Sequence, residues 1–357
     1  MAPETSVQNK RITNISRLIS PSELRDTLAL TPAHEAAVGR GRRAVTSILN
    51  GVDDRCLVIV GPCSLHDPVA GLDYAHRLAK LAERYDGELC IVMRTYFEKP
   101  RTTVGWKGLI NDPHLDGSYR VNDGLIAARG FLLEVISLGL PVGCEFLDPI
   151  TAEYVADAVS WGAIGARTTQ SQIHRQLASG LSMPVGFKNS PDGDVQSAVD
   201  AVGAARVSQV FPGIDRDGSA AIFETSGNPD GHVVLRGSSQ GPNYDRDSVV
   251  RALDALERAG LPRRVIVDAS HANSGKSHEQ QVHVGQDLAQ RVGQGEAGLV
   301  GVMLESFLVE GRQDFSPAPG TSLVYGQSIT DACMGWDTTE AMLVALADAK
   351  AKGRAER

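Results

Sequence analysis

The sequence predicts an α/β protein of the (β/α)8, or TIM, barrel class, with an N-terminal helical extension and a β-hairpin inserted before the sixth strand. The prediction depends on two observations. Eight short apolar runs with strand character recur along the chain, and amphipathic helical patterns separate them. Strands that alternate with helices pair in parallel, and eight repeats favour closure into a barrel over an open, doubly wound sheet.

The predicted strands are bounded by turn and helix-start signals. They cover residues 57–61, 89–94, 142–147, 163–167, 183–188, 232–236, 264–270 and 299–305. After the first strand, Asp67-Pro68 supplies a helix N-cap followed by a proline at the first helical position. Before it, Ser20 to Glu23 form a capping-box pattern, and Thr31-Pro32 opens a second helix that runs to Asn50-Gly51.

Two segments do not belong to the eight repeats. Residues 1–50 precede the first strand and are predicted to form an N-terminal extension with an oligomer or regulatory role. The β-like runs 206–211 and 220–225 flank a turn-rich segment, which predicts an inserted hairpin at about 206–225. No linker divides the remainder, so residues 51–357 are expected to form one catalytic barrel.

Composition excludes several classes of protein. The 357 residues carry 35 basic and 43 acidic side chains, so no global field would attract nucleic acid or an anionic membrane. The sequence contains neither a secretory signal pattern nor a run of about 18 apolar residues. Five cysteines form an odd set without framework spacing, which is typical of a reducing compartment. We expect a soluble cytoplasmic protein that binds neither nucleic acid nor membrane.

Basic side chains follow successive predicted strands. The carboxyl ends of the strands form the active-site face of such a barrel. Cations crowded there are costly to bury unless anionic ligands neutralise them, and arginine suits phosphate and carboxylate geometry. Any one of them alone fits a solvated or salt-bridged side chain, but their shared position favours a site for phosphorylated, carboxylated substrates. The six are Arg94, Lys99, Arg101, Arg167, Lys188 and Arg236.

A second group at the strand ends suits a metal ion. It comprises Cys63, His271, Glu305 and Asp331. A thiolate, an imidazole and two carboxylates favour Mn²⁺, Fe²⁺, Co²⁺ or Zn²⁺ over Ca²⁺ or Mg²⁺. The spacing matches no short zinc motif. From the spacing alone, Cys63 fits a small buried apolar residue and His271 a packed core histidine equally well.

Several runs of residues carry a family resemblance. They resemble the type I, aromatic-amino-acid-regulated 3-deoxy-D-arabino-heptulosonate 7-phosphate (DAHP) synthases, also called phospho-2-dehydro-3-deoxyheptonate aldolases. The similarity extends from about residue 15 to about residue 350. The runs are Gly61–Pro68, Tyr96–Pro113, Trp161–Gln170, Gly186–Asn189, Leu235–Gly237, Asp268–Ser274, Gly301–Ser306 and Ser328–Cys333.

The resemblance assigns roles to the residues that match the family pattern. One divalent metal ion per subunit would be bound by Cys63, His271, Glu305 and Asp331. Phosphoenolpyruvate would contact Arg94, Lys99, Arg167, Lys188 and Arg236. Erythrose 4-phosphate would contact Lys99, Pro100, Arg101, Thr102 and Asp331. Lys99 and His271 are candidates for proton transfer, and Glu145 either orients a water molecule or is a structural carboxylate.

The implied reaction condenses phosphoenolpyruvate with erythrose 4-phosphate and water in the first step of the shikimate pathway. A sister enzyme, 3-deoxy-octulosonate-8-phosphate synthase, uses arabinose 5-phosphate on the same barrel, but Lys99 to Thr102 departs from its pattern. Two further interpretations are a non-catalytic barrel subunit and a generic metal-dependent aldolase. No predicted ligand or phosphate-binding cation is missing, which argues against the non-catalytic subunit.

The resemblance also implies regulation and assembly. Members of the family carry a feedback site for an aromatic amino acid, built from the extension and the hairpin. Gly213 favours tyrosine as the effector, because phenylalanine-controlled forms tend to carry serine there, while Pro212 departs from the family pattern. A homodimer or homotetramer is expected. Cys63 and Cys333 are expected to lie together near the metal, so that oxidation of the metal-free protein would join them in a disulfide.

Overall fold

Eight parallel strands close into a barrel in a computed structural model of the chain, as the sequence predicts. The structure describes residues 9–101, 105–316 and 322–356. In chain order, the strands are β1 (Cys56–Gly61), β2 (Leu89–Arg94), β3 (Val142–Glu145), β4 (Trp161–Ile164), β5 (Val185–Lys188), β6 (Val210–Ile214), β7 (Ala220–Glu224), β8 (His232–Leu235), β9 (Val265–Asp268), β10 (Leu299–Glu305), β11 (Val309–Arg312) and β12 (Gln327–Ser328).

Helices surround the barrel and precede it. In chain order they are α1 (Pro21–Thr27), α2 (Pro32–Leu49), α3 (Pro68–Arg84), α4 (Val121–Ser137), α5 (Pro149–Val155), α6 (Gln172–Gly180), α7 (Gln196–Arg206), α8 (Arg246–Arg258), α9 (His278–Gly293) and α10 (Trp336–Ala355). Short 3₁₀ turns cover Ala156–Ala158 and His271–Asn273. Within the described part of the chain, no helix is long and apolar enough to cross a membrane.

The barrel strands run β1–β2–β3–β4–β5–β8–β9–β10 around the ring, and β10 pairs with β1 to close it. Their side chains alternate between two packed layers. Leu57 and Ile59 belong to the core inside the barrel, and Val58 and Val60 pack outward against the helices. Because both faces are covered, parallel strands are almost wholly apolar, which is why the sequence shows them as continuous runs.

The predicted extension forms α1 and α2. Ser20 caps α1, since the Glu23 amide donates to its hydroxyl at 3.2 Å and the Glu23 carboxylate accepts from the Ser20 amide at 2.7 Å. The Ser22 amide donates to the carbonyl of Arg216 at 2.7 Å, and the Tyr154 hydroxyl donates to the carbonyl of Ile19 at 2.5 Å. The extension therefore contacts both the hairpin turn and α5.

The hairpin lies before the sixth barrel strand, as predicted, but the predicted first strand at 206–211 was wrong. α7 continues to Arg206, and β6 runs from Val210 to Ile214, antiparallel to β7. The Asp215 side chain sets this register, because it accepts hydrogen bonds from the amides of Asp217 and Ser219, each at 2.9 Å. Several barrel strands also end earlier than predicted. Arg167 therefore lies in the turn after β4, and His271 begins the 3₁₀ turn that follows β9.

Candidate active site

A cavity of about 680 Å³ opens at the carboxyl ends of the barrel strands. Basic side chains outnumber carboxylates in its lining, which suits anionic ligands. The lining residues are Lys99, Pro100, Arg101, Glu145, Gly165, Ala166, Arg167, Lys188, Pro191, Arg236, His271, Lys276, Thr330 and Asp331. The structure thus brings together nearly all the residues that the sequence predicts for substrate binding. Thr102 lies outside the described residues.

Cys63, Glu305 and Asp331 form a cluster of metal-binding type below this cavity. Their ligand atoms all lie within 4.8 Å of one another. The Cys63 and Glu305 side chains are buried, and Asp331 is half-buried and also lines the cavity. A thiol beside two carboxylates fits a borderline transition-metal ion, so the residues present suit the metal that the sequence predicts.

His271 adjoins the cluster through its outer ring nitrogen. Its Nε2 lies 3.7 Å from the Glu305 carboxylate, while Nδ1 lies 2.9 Å from Asp268 and 2.7 Å from the Ser270 hydroxyl. A carboxylate behind the inner nitrogen is the usual support for a metal-binding histidine. His271 has a φ of 54°, an uncommon backbone conformation for this residue type, of the kind found at functional sites.

Asp268 is a fully buried carboxylate at the end of β9 that holds two predicted site residues. It accepts a hydrogen bond from the Lys188 ammonium at 2.9 Å in addition to its contact with His271. Burial alone would raise the pKa of Asp268, but His271 and Lys188 outweigh burial and hold it well below the usual range. Asp268 therefore stays ionised and orients both neighbours.

Arg94 lies beneath the cavity and is fully buried, a position that the sequence does not predict. Its guanidinium donates to the Glu305 carboxylate at 3.0 Å and to the Pro62 carbonyl at 3.3 Å. The guanidinium carbon also lies 4.0 Å from the centre of the Tyr96 ring. Arg94 thus fixes the orientation of Glu305 from below.

Two further cations border the cavity and differ in their hydrogen-bond partners. Arg236 has a buried Nε without a hydrogen-bond partner among the described residues, and burial lowers its pKa. Such an unmatched donor is costly unless a ligand accepts from it. Lys276, which sequence reasoning missed, lies with Nζ 3.4 Å from the Asp331 carboxylate. It follows the conspicuous run Asp268–Ser274 by two residues, and that proximity was the available signal.

Glu145 ends β3 and lines the cavity. Its carboxylate packs so closely against the exit of β4 that a Cβ built at Gly165 would lie 2.0 Å from Oε1. The glycine therefore leaves room for the carboxylate to point into the site.

Comparison with known proteins decides the family. The model of the DAHP synthetase I family matches residues 29–344. The chain belongs to the DAHP synthetase I family. A relative named phospho-2-dehydro-3-deoxyheptonate aldolase, from Corynebacterium glutamicum, is 52% identical over 98% of this chain and 96% of its own length. The Phe-sensitive phospho-2-dehydro-3-deoxyheptonate aldolase of Escherichia coli K12 is 52% identical over 95% of this chain and 96% of its own length.

The fold comparison gives the same family. The structure of phospho-2-dehydro-3-deoxyheptonate aldolase from Francisella tularensis SCHU S4 superposes with a TM-score of 0.93 at 45% identity. It covers 96% of this chain and 99% of that chain. As a member of the DAHP synthetase I family over most of its length, the chain is an enzyme, and the predicted barrel and family are confirmed.

Proposed function

We propose that the chain condenses phosphoenolpyruvate with D-erythrose 4-phosphate and water. The products are 3-deoxy-D-arabino-heptulosonate 7-phosphate and phosphate, the first step of the shikimate pathway for aromatic amino acid biosynthesis. The observation that carries the proposal is one cavity in which phosphate-binding cations adjoin a cluster of Cys63, Glu305 and Asp331. Relatives that carry the name of this enzyme at about half sequence identity support the reaction.

Phosphoenolpyruvate is assigned to Arg94, Lys99, Arg167, Lys188 and Arg236. The Lys188 ammonium is preset by Asp268, so it presents a fixed charge to the substrate. The unmatched Nε of Arg236 gains an acceptor when an anion binds. Arg94 lies beneath the cavity and donates to Glu305, so its proposed contribution to the site is to hold that carboxylate in place.

Erythrose 4-phosphate is assigned to Lys99, Pro100, Arg101, Thr102 and Asp331. Lys99, Pro100, Arg101 and Asp331 line the cavity, and Lys99 and Asp331 also adjoin the metal-type cluster. Lys276 is a further cation of the lining, beside Asp331. Two anionic substrates held in one cavity would lie in near-attack geometry, which makes the bimolecular step effectively intramolecular.

Cys63, Glu305 and Asp331, with His271 as the fourth ligand, would hold one divalent ion, of Mn²⁺, Fe²⁺, Co²⁺ or Zn²⁺. The mutual spacing of the first three and the orientation of His271 by Asp268 support this ligand set. When bound, the ion supplies Lewis acidity toward the aldehyde oxygen of erythrose 4-phosphate.

Side chains of the protein would carry out the proton transfers. C3 of phosphoenolpyruvate attacks the aldehyde carbon, water adds at C2, and phosphate leaves by C–O cleavage from the tetrahedral centre. Lys99 and His271 are the proposed donors and acceptors near the aldehyde and the water. Glu145 borders the same cavity, where it can orient the attacking water.

The choice of aldose tests the reaction. Phosphoenolpyruvate is supplied with either erythrose 4-phosphate or arabinose 5-phosphate, and phosphate release is followed by phosphorus NMR. We expect release with erythrose 4-phosphate. Turnover with arabinose 5-phosphate alone indicates the octulosonate enzyme, product without phosphate release indicates a generic aldolase, and no turnover indicates a non-catalytic barrel.

We infer that a second cavity, of about 880 Å³, binds an aromatic amino acid effector. It lies between the hairpin and the α5–α6 face and is called the hairpin cavity below. Its hairpin side is lined by Phe211, Pro212, Gly213 and Phe223. The Phe211 and Phe223 ring centroids lie 5.8 Å apart, which offers an aromatic wall. Relatives named Phe-sensitive and Trp-sensitive support an effector of this class. We propose tyrosine, because the family resemblance associates Gly213 with tyrosine-controlled forms.

We further propose that the chain forms a homodimer or homotetramer through the extension and the hairpin. Both segments expose large apolar side chains, with Ile15 at 77% and Ile222 at 79% exposure. Light scattering coupled to size exclusion tests this proposal. A monomer at micromolar concentration would refute it.

A further inference from the structure

Glu98 is a buried carboxylate that the assigned roles do not use. It immediately precedes Lys99, at the base of the segment that carries Lys99, Pro100 and Arg101 into the cavity. Glu98 is 5% exposed and is not among the residues that line the cavity. Its Oε2 accepts a hydrogen bond from the Thr151 hydroxyl of α5 at 2.8 Å and a long one from the Asp148 amide at 3.5 Å.

This segment, residues 98–101, is called the substrate segment below. Across the cavity, the Lys99 ammonium donates to the carbonyl and the sulfur of Cys63, each at 3.1 Å, and the Arg167 guanidinium donates to the Pro100 carbonyl at 3.3 Å.

The other ties of the substrate segment are to residues that follow it closely in the chain. The Lys99 amide donates to the carbonyl of Lys107 at 2.8 Å, and the Arg101 Nε donates to the carbonyl of Trp106 at 2.8 Å. At Gly108, φ is 115°, and a Cβ there would lie 2.0 Å from the carbonyl oxygen of Phe97. These contacts fold the following residues back on the segment, while Glu98 ties its base to α5.

The first turn of α5 faces the other cavity. Asp148 caps the helix by accepting from the Ile150 amide at 2.7 Å. Pro149 and Ile150, which lie between the two partners of Glu98, line the hairpin cavity, as does Glu153. A single turn of helix therefore bonds to the substrate segment on one side and borders the proposed effector cavity on the other.

The surroundings of Glu98 do not favour a carboxylate. Burial raises its pKa to about 7, and the negative charges of Asp148 and Glu145 act in the same direction, against the hydrogen bonds from Thr151 and Asp148. A buried carboxylate that faces acidic neighbours costs stability relative to an amide of the same shape. A role in the site accounts for such a residue better than packing does.

We propose that Glu98 is a positioning residue that holds Lys99 and Arg101 in place for erythrose 4-phosphate through Thr151. The same bond transmits movement of the α5 turn, so filling the hairpin cavity displaces the substrate segment. The inference rests on the proposed function and deepens it, because it names the contact that joins the aldose site to the effector site.

Thr151 offers the cleaner variant, since it is not among the residues that line either cavity. Thr151→Val keeps the shape and removes the hydroxyl, which lies 2.8 Å from Glu98 Oε2 and 2.9 Å from the Asp148 carbonyl, while Thr151→Ser restores the donor. Steady-state kinetics would be measured for both substrates, with tyrosine titrations and melting temperatures for each variant. We expect Thr151→Val to raise KM for erythrose 4-phosphate about tenfold, the effect of one hydrogen bond to a charged group.

In Thr151→Val, we expect KM for phosphoenolpyruvate, kcat and the melting temperature to stay near wild type, while tyrosine inhibits more weakly. Thr151→Ser should recover the wild-type KM for erythrose 4-phosphate and the wild-type inhibition by tyrosine. An unchanged KM for erythrose 4-phosphate in an active Thr151→Val enzyme would overturn the inference alone. A fall in kcat and melting temperature with both KM values raised would indicate a structural role and overturn it too. If the wild-type enzyme makes no product, the proposed function fails first, and the inference falls with it.

Discussion

The ammonium nitrogen of Lys99 lies 3.1 Å from the sulfur of Cys63 and 3.1 Å from the carbonyl oxygen of the same residue. Burial alone would lower the pKa of Lys99, but Cys63 and the neighbouring carboxylates, Glu305 first, outweigh burial and raise it. Lys99 therefore stays protonated at neutral pH. The contact joins the substrate segment to the proposed metal ligands, so Lys99 and Cys63 connect the proposed aldose site to the proposed metal site.

Replacing Cys63 should remove both metal affinity and activity. Cys63→Ala deletes the sulfur ligand, and we expect metal affinity to fall by at least about 100-fold, more than the loss of a supporting contact costs. Metal content by plasma emission spectroscopy and turnover with added Mn²⁺ check the result. Cys90→Ala, at the opposite end of the barrel strands, is the matched control and should keep both properties. Full metal content in Cys63→Ala would remove Cys63 from the ligand set.

Metal removal in air should join Cys63 to Cys333. The Cys63 amide donates to the Cys333 sulfur at 3.4 Å, and both thiols are free and buried. We expect the metal-free protein to lose two titratable thiols to dioxygen, with protection by Mn²⁺. Burial raises the pKa of Cys333 well above its usual range, so the loss should be slow at neutral pH. Persistent free thiols at both positions would refute the disulfide, and Cys333→Ala should show no paired loss.

Glu98 should make stability depend on pH. Its pKa rises from 4.5 to about 7 on folding, chiefly through burial, so the folded state favours the protonated side chain. The contribution of Glu98 to the free energy of unfolding is therefore complete below pH 4.5 and is lost as pH rises through about 7. The shift corresponds to at most roughly 3 kcal/mol in the free energy of unfolding. Urea unfolding of wild type and Glu98→Gln at pH 5 and pH 8 checks this expectation. The glutamine variant should lose less stability between the two values, and parallel losses would contradict the assignment.

A serine at position 213 should weaken inhibition by tyrosine. A Cβ built at Gly213 would lie 2.4 Å from the Phe223 ring, so the ring, which lines the hairpin cavity, must shift. We expect Gly213→Ser to raise the half-inhibitory tyrosine concentration about tenfold, the lower end of an overpacking cost, while basal kcat is unchanged. An inhibition panel with all three aromatic amino acids checks the effect. Inhibition of the wild type by phenylalanine or tryptophan alone would refute tyrosine as effector.

The sequence predicts the barrel and most of the cavity for a physical reason. Parallel strands buried on both faces are continuous apolar runs such as Cys56–Gly61, and the barrel places their ends on one face. Lys188 and Arg236 could therefore be assigned to one cavity without knowledge of the distance between them.

Other features depend on contacts that no local pattern encodes. The register of the hairpin depends on the side-chain hydrogen bonds of Asp215. Lys276 reaches the cavity from a turn where its own φ is 66°, which no strand-end rule anticipates. The tie from Glu98 to Thr151 joins residues 53 positions apart, and Arg94 lies below the cavity because Glu305 and the Pro62 carbonyl accept its donors.

The most direct test of the central claim is product formation from phosphoenolpyruvate and erythrose 4-phosphate, before and after chelation. Loss of the enolpyruvyl absorbance and release of phosphate would be followed together. We predict turnover that a chelator abolishes and Mn²⁺ restores. Absence of turnover with erythrose 4-phosphate in metal-replete protein would contradict the proposed reaction, and turnover that survives complete metal removal would contradict the role of Cys63, Glu305 and Asp331.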